Sequence, residues 1–208
     1  QMIYGNADGA VATEGVDTAW TGAAATVSKI TSKYAGDFNG DGFDDALFAN
    51  SAGKVAIRYG NAQGDMSYDG ATAANGILFT GSGTNAASFG KAGSSNFLYF
   101  NAGAISYLGD TNGDQMDDIA FVNYLDGKVF VRFGTTVQSA TETIDATTVG
   151  AATGHGFVVS GLSGGTVTLS TYWSGTIGAN ISSAGDVNGD GRDDLLVMDP
   201  FANAAYVV

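Results

Sequence analysis

The chain contains no cysteine, one proline and only eight lysine and arginine residues among its 208. Without cysteine it can form neither a disulfide framework nor a thiolate metal site. The few basic residues are scattered and form no basic stripe, so nucleic acid is not an expected partner. Because no apolar run approaches the ~18 residues that cross a bilayer, membrane insertion is not expected either.

Glutamate is almost absent as well, since the chain has only Glu14 and Glu142 but nineteen aspartates. The formal net charge is −13. Helix-rich domains favour glutamate, whereas aspartate favours turns and oxygen-ligand loops. Hydrophobic residues make up 44% of the chain and 32 residues are glycine, which together indicate a globular, loop-rich protein rather than a disordered one.

Twelve of the aspartates lie in three similar segments, four in each, here named loop 1 (residues 37–45), loop 2 (110–118) and loop 3 (186–194). Their sequences are DFNGDGFDD, DTNGDQMDD and DVNGDGRDD. Oxygen-bearing side chains recur at positions 1, 3, 5 and 9, and glycine lets the backbone turn sharply, which is how a short loop wraps a hard divalent cation. The repulsion energy between two unpaired carboxylates ~4 Å apart is on the order of kcal/mol, so a bound cation would explain why they cluster. The sequence therefore predicts three calcium sites.

Each loop has the same sequence context, and the loops begin 73 and 76 residues apart. A short strand-like segment ending in Gly-Asp precedes each loop, and a four-residue apolar run follows at 46–49, 119–122 or 195–198. Such runs are typical of strands covered on both faces. A turn and an alternating strand come next, and then a fourth apolar stretch, at 76–80 in one unit and 156–160 in the following one.

Four strands in each unit of roughly 75 residues, with almost no helical periodicity, predict an all-β protein. We expect a β-propeller-type array of three four-stranded repeats, because blades of this size and strand number build propellers. The array is expected to be one repeat domain over residues 1–208, with approximate units 1–60, 61–134 and 135–208.

Both ends of the chain carry the same strand of the repeat, since residues 1–7 match 56–62 and residues 205–208 match 56–59. Three blades are fewer than the usual 4–8 of a closed propeller. Three arrangements stay open: a partial propeller that is a piece of a longer array, closure by oligomerisation through shared strands, or a compact three-unit form. A chain that starts at Gln1 is expected to be processed or cut from something longer.

The loops and their flanking strands resemble the FG-GAP repeats of integrin α-subunit propellers and related repeats of bacterial secreted and surface proteins. The similarity is specific over residues 36–49, 109–122 and 185–198. In that family Ca²⁺ lies in the loop between two strands at the propeller edge. The resemblance implies side-chain ligands at positions 1, 3, 5 and 9 and a carbonyl ligand at position 7: Asp37, Asn39, Asp41, Phe43 and Asp45; Asp110, Asn112, Asp114, Met116 and Asp118; and Asp186, Asn188, Asp190, Arg192 and Asp194.

One departure separates loop 2 from the others, because Gln115 replaces the glycine found at Gly42 and Gly191. If that position needs a positive φ, glutamine costs about 1 kcal/mol or more there. The second calcium site is therefore expected to be the weakest.

Other motifs have weaker support. An EF-hand or dockerin-like loop needs an acidic ligand at position 12 that leads into a helix, but Phe48, Phe121 or Val197 stands there. The GxSxG pattern at 161–165 is followed by a strand-like segment, and the only histidine, His155, precedes it. A glycine-rich stretch at 81–86 lacks the helix and acidic residue of a dinucleotide site. No enzymatic activity, catalytic residue or cofactor site other than calcium is expected.

The expected function is that of a secreted or cell-surface calcium-binding repeat protein with a structural or adhesive role, in which Ca²⁺ rigidifies each blade. Extracellular modules bind calcium at about 10⁻⁴–10⁻³ M, which suits external calcium levels. The alternatives are a subunit of a fibre or oligomer assembled by strand sharing, a lectin that stacks sugars on Trp20 and Trp173, and an accessory domain of a larger enzyme. Apart from calcium, the partners to consider are a second copy of the chain and a surface glycan or protein.

Overall fold

Strands and turns make up the part of the chain that the computed structural model describes, and no helix occurs there. The described residues are 3–5, 11–13, 30–50, 54–60, 76–81, 105–123, 127–137, 141–144, 149, 154–163, 165–170, 173–177, 180–199 and 202–208. The all-β prediction is therefore confirmed for these residues. A helix of the length and hydropathy that a membrane crossing requires is not found among them.

The strands follow one another along the chain in the order β1 (Ile3–Gly5), β2 (Val11–Thr13), β3 (Ile30–Gly36), β4 (Asp45–Asn50), β5 (Lys54–Arg58), β6 (Gly76–Gly81), β7 (Ile105–Gly109), β8 (Asp118–Asn123), β9 (Lys128–Arg132), β10 (Thr141–Ile144), β11 (Gly156–Val159), β12 (Gly165–Ser170), β13 (Trp173–Ile177), β14 (Asn180–Gly185), β15 (Asp194–Asp199) and β16 (Ala204–Val207).

Three antiparallel sheets share one strand order. Sheet 1 contains β3, β4, β5 and β6, sheet 2 contains β7, β8, β9 and β11, and sheet 3 contains β14, β15 and β16. Loops 1, 2 and 3 each join the first two strands of their sheet. The predicted fourth strand is confirmed in sheets 1 and 2, where it is β6 and β11. The strands β1 with β2 and β12 with β13 form two further antiparallel pairs.

Strand β10, which the sequence did not predict, lies at the edge of sheet 1. It pairs in parallel with β6, so that Thr141 is opposite Leu78 and Ile144 is opposite Gly81. The chain therefore leaves sheet 2 after β9, adds one strand to sheet 1 and returns to sheet 2 as β11.

The three sheets are stacked, with sheet 2 between the other two. On strand β8, Ile119 and Phe121 pack into an apolar core shared with sheet 1, whereas Ala120 and Val122 pack into a second core shared with sheet 3. All four side chains are buried. The prediction that this apolar run is covered on both faces is confirmed, because successive strand residues point to opposite faces and each face has a neighbouring sheet.

The equivalent run in sheet 3 is covered on one face only. Leu195 and Val197 are buried against sheet 2, but Met198 is 49% exposed. For this run the prediction of two covered faces is wrong, because no described sheet lies beyond sheet 3. The described residues form a stack of three sheets and no closed ring, so the propeller arrangement remains a prediction.

Candidate metal centre

The three loops lie beside one another along one edge of the stacked sheets. The Asp117 N–H of loop 2 donates to the Asp37 carbonyl of loop 1 at 3.1 Å, and the Asp193 N–H of loop 3 donates to the Asp110 carbonyl of loop 2 at 3.0 Å. Each loop is thus held by its own sheet and by its neighbour, which brings the predicted sites to one side of the molecule.

The acidic side chains at the start of each loop accept hydrogen bonds from the loop backbone. In loop 1 the two carboxylate oxygens of Asp37 accept the N–H groups of Asp41 at 3.0 Å and Gly42 at 2.8 Å. In loop 3 the Asp186 carboxylate accepts those of Asp190 at 3.0 Å and Gly191 at 2.9 Å. The same sequence therefore forms the same turn in separate parts of the chain, with position 1 at its centre.

Positions 3 and 5 add to this pattern. In loop 2 the Asn112 side-chain oxygen accepts the Asp114 N–H at 2.8 Å, and the Asp114 carboxylate accepts the Met116 N–H at 2.9 Å. The Asn112 side-chain NH₂ donates to Asp114 at 2.9 Å. The first two are Asx-type bonds, in which a short polar side chain pairs with the backbone N–H two residues ahead. They fix where each side-chain oxygen lies on the loop.

In loops 1 and 2, position 9 is buried and connects the loop to the backbone that follows the third strand of its sheet. The Asp45 carboxylate is 2% exposed and accepts the N–H groups of Gly60 at 2.8 Å and Phe38 at 3.0 Å. Asp118 is fully buried and accepts those of Gly134 at 2.8 Å and Thr111 at 2.9 Å. The Thr111 hydroxyl also donates to Asp118.

Burial raises the pKa of both carboxyl groups, because removal from water disfavours the charged form. The pKa of Asp45 rises to about 7 and that of Asp118 to about 6, although the backbone N–H groups that they accept act in the opposite direction. The protein groups around these two carboxylates therefore compensate their charge only in part.

The donor set of each loop suits calcium chemically, since every candidate ligand is an oxygen. A carboxylate or amide oxygen has two lone pairs, so an oxygen that accepts one backbone N–H can still bind a cation. Within the described ranges, however, no three acidic or histidine side chains converge as a ready-made metal cluster. The structure places the predicted ligands on the three loops, and metal binding itself stays a prediction.

Gln115 has the backbone conformation on which the prediction of a weak second site depended. Its φ is +70°, and the glycines at the same position, Gly42 and Gly191, have φ of +89° and +87°. The position does require the left-handed region, where a residue with a side chain is strained. The lower calcium affinity expected from this strain is not tested by the structure.

Position 8 has a role that sequence reasoning missed. The Asp117 carboxylate accepts the Asp37 N–H at 2.7 Å and the Tyr107 hydroxyl at 3.2 Å. The Asp193 carboxylate accepts the Asp110 N–H at 3.1 Å. These aspartates link one loop to the next. The sequence contained one indication of this role, because all three loops have an aspartate at position 8 that is not among the expected calcium ligands.

The remaining sequence candidates lie elsewhere. Ser163 of the GxSxG pattern donates its N–H to the buried carboxylate of Asp199 at 2.7 Å, and strand β12 follows where a nucleophile elbow would need a helix. His155 is exposed. Residues 82–86 and Trp20 lie outside the described residues, as does the side chain of Trp173, so the lectin alternative stays a prediction.

Comparison with known proteins adds no family to this picture. A scan of the chain against models of protein families finds no match. A search of curated proteins finds none either.

Proposed function

We propose that the chain is an extracellular calcium-binding repeat protein with a structural or adhesive role, in which Ca²⁺ rigidifies the loop edge of each sheet. The observation that supports it is the repetition of one loop conformation, with four aspartates in each copy and the side-chain oxygens oriented by backbone N–H groups. Surface turns seldom need four carboxylates, whereas a calcium loop does.

The residues that would hold the ion are the side chains at positions 1, 3, 5 and 9 and the carbonyl at position 7 of each loop. A bound Ca²⁺ supplies positive charge that compensates the clustered carboxylates. Three ions would bring the formal net charge from −13 to −7. Because Asp45 and Asp118 also bond to the backbone beyond the third strand of their sheets, a cation on them would connect the loop to the rest of the sheet.

The experiment is a thermal melt with calcium and with EDTA, combined with native mass spectrometry to count bound ions. With calcium about 20-fold above Kd, each site adds about 1.8 kcal/mol, and three sites add about 5 kcal/mol. For a chain of this size that raises Tm by on the order of 10 °C. A protein that retains no calcium and melts at the same temperature after chelation would refute the proposal.

Two variants with the same charge change provide the matched control. Asp41→Asn alters a proposed ligand, whereas Asp44→Asn alters an exposed neighbour in the same loop that is outside the ligand set. Calcium titration should show one weakened site in Asp41→Asn and three unchanged sites in Asp44→Asn. Equal effects of the two would mean that calcium responds to net charge and not to a built site.

Assembly by strand sharing is the second candidate, and strand β16 favours it. Within the described residues β16 has β15 on one side and no strand on the other, whereas β5 and β9 have a fourth strand beside them. Val208 exchanges both backbone hydrogen bonds with Leu195, so the neighbouring Val207, in a non-hydrogen-bonded pair, directs its N–H outward. Val207→Pro should therefore abolish strand addition without disturbing sheet 3, and self-association that survives it excludes this edge.

A further inference from the structure

Arg192 is the one basic residue in the sequences of the three loops, which together contain twelve aspartates. It occupies position 7 of loop 3, the position that Met116 has in loop 2. Its backbone N–H stays within its own loop and donates to the Asp190 carboxylate at 2.9 Å. Its side chain, however, lies over loop 2. The single positive charge of the loop sequences is therefore beside a neighbouring loop.

The Arg192 side chain contacts Gly113, at position 4 of loop 2. A Cβ added to Gly113 would lie 3.4 Å from the Arg192 Nε and 4.0 Å from its Cγ. The next residue is bonded to loop 2, because the Asp193 N–H donates to the Asp110 carbonyl at 3.0 Å and the Asp193 carboxylate accepts the Asp110 N–H at 3.1 Å. This pair of hydrogen bonds holds the backbone beside Arg192 against loop 2.

The same contact brings the guanidinium near the carboxylate at position 1 of loop 2. The Gly113 N–H donates to the Asp110 Oδ1 at 2.6 Å, and that oxygen also accepts the Asp114 N–H at 3.1 Å. With the covalent distances inside Gly113 added, the Arg192 Nε is no more than about 9 Å from the Asp110 Oδ1. The Debye length is about 8 Å at physiological ionic strength, so the two charges interact.

The junction of loops 1 and 2 has the same arrangement without the charge. Met116 covers Gly40, at position 4 of loop 1, and a Cβ added to Gly40 would lie 3.2 Å from the Met116 Cγ and 3.3 Å from its Sδ. Methionine and arginine both have long unbranched stems, so the two residues at position 7 differ mainly in charge. Loop 1 is therefore covered by a neutral side chain where loop 2 is covered by a cation.

We propose that Arg192 is a built-in counter-ion of loop 2, which compensates the carboxylates of that loop without calcium and opposes the binding of Ca²⁺ to it. The part that concerns calcium rests on the proposed function, because it describes the regulation of one of the same sites. Arginine stays protonated in proteins, so this charge does not vary with pH. Loop 2 therefore needs more calcium than it would beneath a neutral side chain such as that of Met116.

The size of the effect follows from Coulomb's law. Gly113 and Asp114 are exposed, so the charges interact largely through solvent. For a single and a double charge about 9 Å apart, a dielectric close to that of water gives a change in calcium affinity of about three- to tenfold at 10 mM salt. Screening reduces this change to about twofold or less at 0.15 M salt. Strain at Gln115 also weakens loop 2, but salt does not relieve it.

A calcium titration followed by ¹H–¹⁵N NMR tests the proposal loop by loop. The position 4 amides of Gly40, Gly113 and Gly189 report separately on loops 1, 2 and 3. Arg192→Met removes the charge and keeps an unbranched side chain. At about 10 mM salt it should tighten calcium binding at loop 2 about three- to tenfold, and at about 0.15 M salt twofold or less. The gain at loop 2 is diagnostic, because the sequence of that loop is unchanged in this variant.

Two further variants separate the position of the charge from net charge. Met116→Arg places a guanidinium over Gly40 and should weaken loop 1 by a similar factor. Lys128→Met makes the same change in net charge as Arg192→Met at a remote place. Lys128 is opposite Asn123, the last residue of β8, which is about 17 Å along the strand from loop 2. It should change the affinity of loop 2 by less than about twofold. The same spectra show whether each variant is folded.

The outcomes distinguish this proposal from the calcium proposal. If calcium binds but Arg192→Met leaves the affinity of loop 2 unchanged, or tightens it equally at both salt concentrations, the counter-ion proposal is overturned and the calcium proposal stands. If no amide responds to calcium, the calcium proposal fails and urea unfolding in EDTA decides about the counter-ion. At low salt Arg192→Met should then lower the urea midpoint, because loop 2 loses its compensating charge, and a midpoint equal to that of the wild type overturns the proposal.

Discussion

Replacing Gln115 with glycine is expected to raise the free energy of unfolding. Gln115 has φ of +70° and is exposed, so its side chain contributes little packing to offset the strain. A non-glycine residue in the left-handed region costs the folded state roughly 1–2 kcal/mol, and glycine removes this strain. Glycine also gives the unfolded chain more conformational freedom, which lowers the free energy of unfolding by about 0.5–1 kcal/mol. The net gain is therefore about 0.5–1 kcal/mol. The Gln115 N–H donates to Asp110 at 2.8 Å, and glycine keeps this bond.

The assay is denaturant unfolding, with a thermal melt as a second readout. For a chain of this length a gain of 1 kcal/mol raises Tm by about 2–4 °C. Gly191→Gln is the matched reverse substitution, because Gly191 has φ of +87° and no atom of the described residues lies within 4 Å of an added Cβ. It should destabilise by a similar amount through backbone strain alone.

The calcium affinity of loop 2 adds an independent measurement. If strain in the metal-free loop weakens the second site, Gln115→Gly should bring its affinity towards that of the other two. The reasoning is refuted if Gln115→Gly lowers the midpoint of unfolding, or if Gly191→Gln has no effect on it.

Three further substitutions or conditions test other parts of the structure. Asp117→Ala should destabilise by about 1–3 kcal/mol in urea unfolding, because the part-buried Asp37 N–H loses its acceptor. Phe79→Ala should cost about 3–5 kcal/mol in the same assay, since Phe79 is fully buried between sheets 1 and 2, and a loss below 1 kcal/mol would contradict that core. In EDTA the urea midpoint should fall as pH rises from about 4 through about 7. The pKa of Asp45 is raised to about 7 and that of Asp118 to about 6, so over this range the folded state holds protons that the unfolded state has released. Asp45→Asn should flatten that pH dependence, and a midpoint that rises with pH in EDTA would show that these carboxyl groups are not desolvated.

Local sequence signals predicted the loops and the strands that flank them. The Gly-Asp ending of β3 and β7 and the apolar run after each loop mark where the chain turns and re-enters the sheet, because turn chemistry and alternation act over a few residues. Comparison of Gln115 with two glycines at the same position showed which residue would be strained if that position needs a positive φ, and the structure has φ of +70° there.

Features that depend on the stacking of sheets could not be predicted in this way. The link from Asp117 to Asp37 joins residues 80 positions apart, and the exposure of Met198 depends on what lies beyond sheet 3. Met198 ends an apolar run that resembles those of the other units, so the sequence pattern predicted that its side chain would be buried. The local sequence of β10, Thr-Glu-Thr-Ile, likewise gives no sign that its partner is β6.

The parallel pairing of β10 with β6 has a consequence for biosynthesis. Sheet 1 acquires its last strand more than sixty residues downstream of β6, after the first three strands of sheet 2 have been made. A nascent chain on the ribosome therefore carries an unfinished first sheet until residue 144 has emerged, and a fragment that stops before residue 141 would leave the outer backbone of β6 open to water. An excised first unit is therefore expected to lack the edge strand of its sheet.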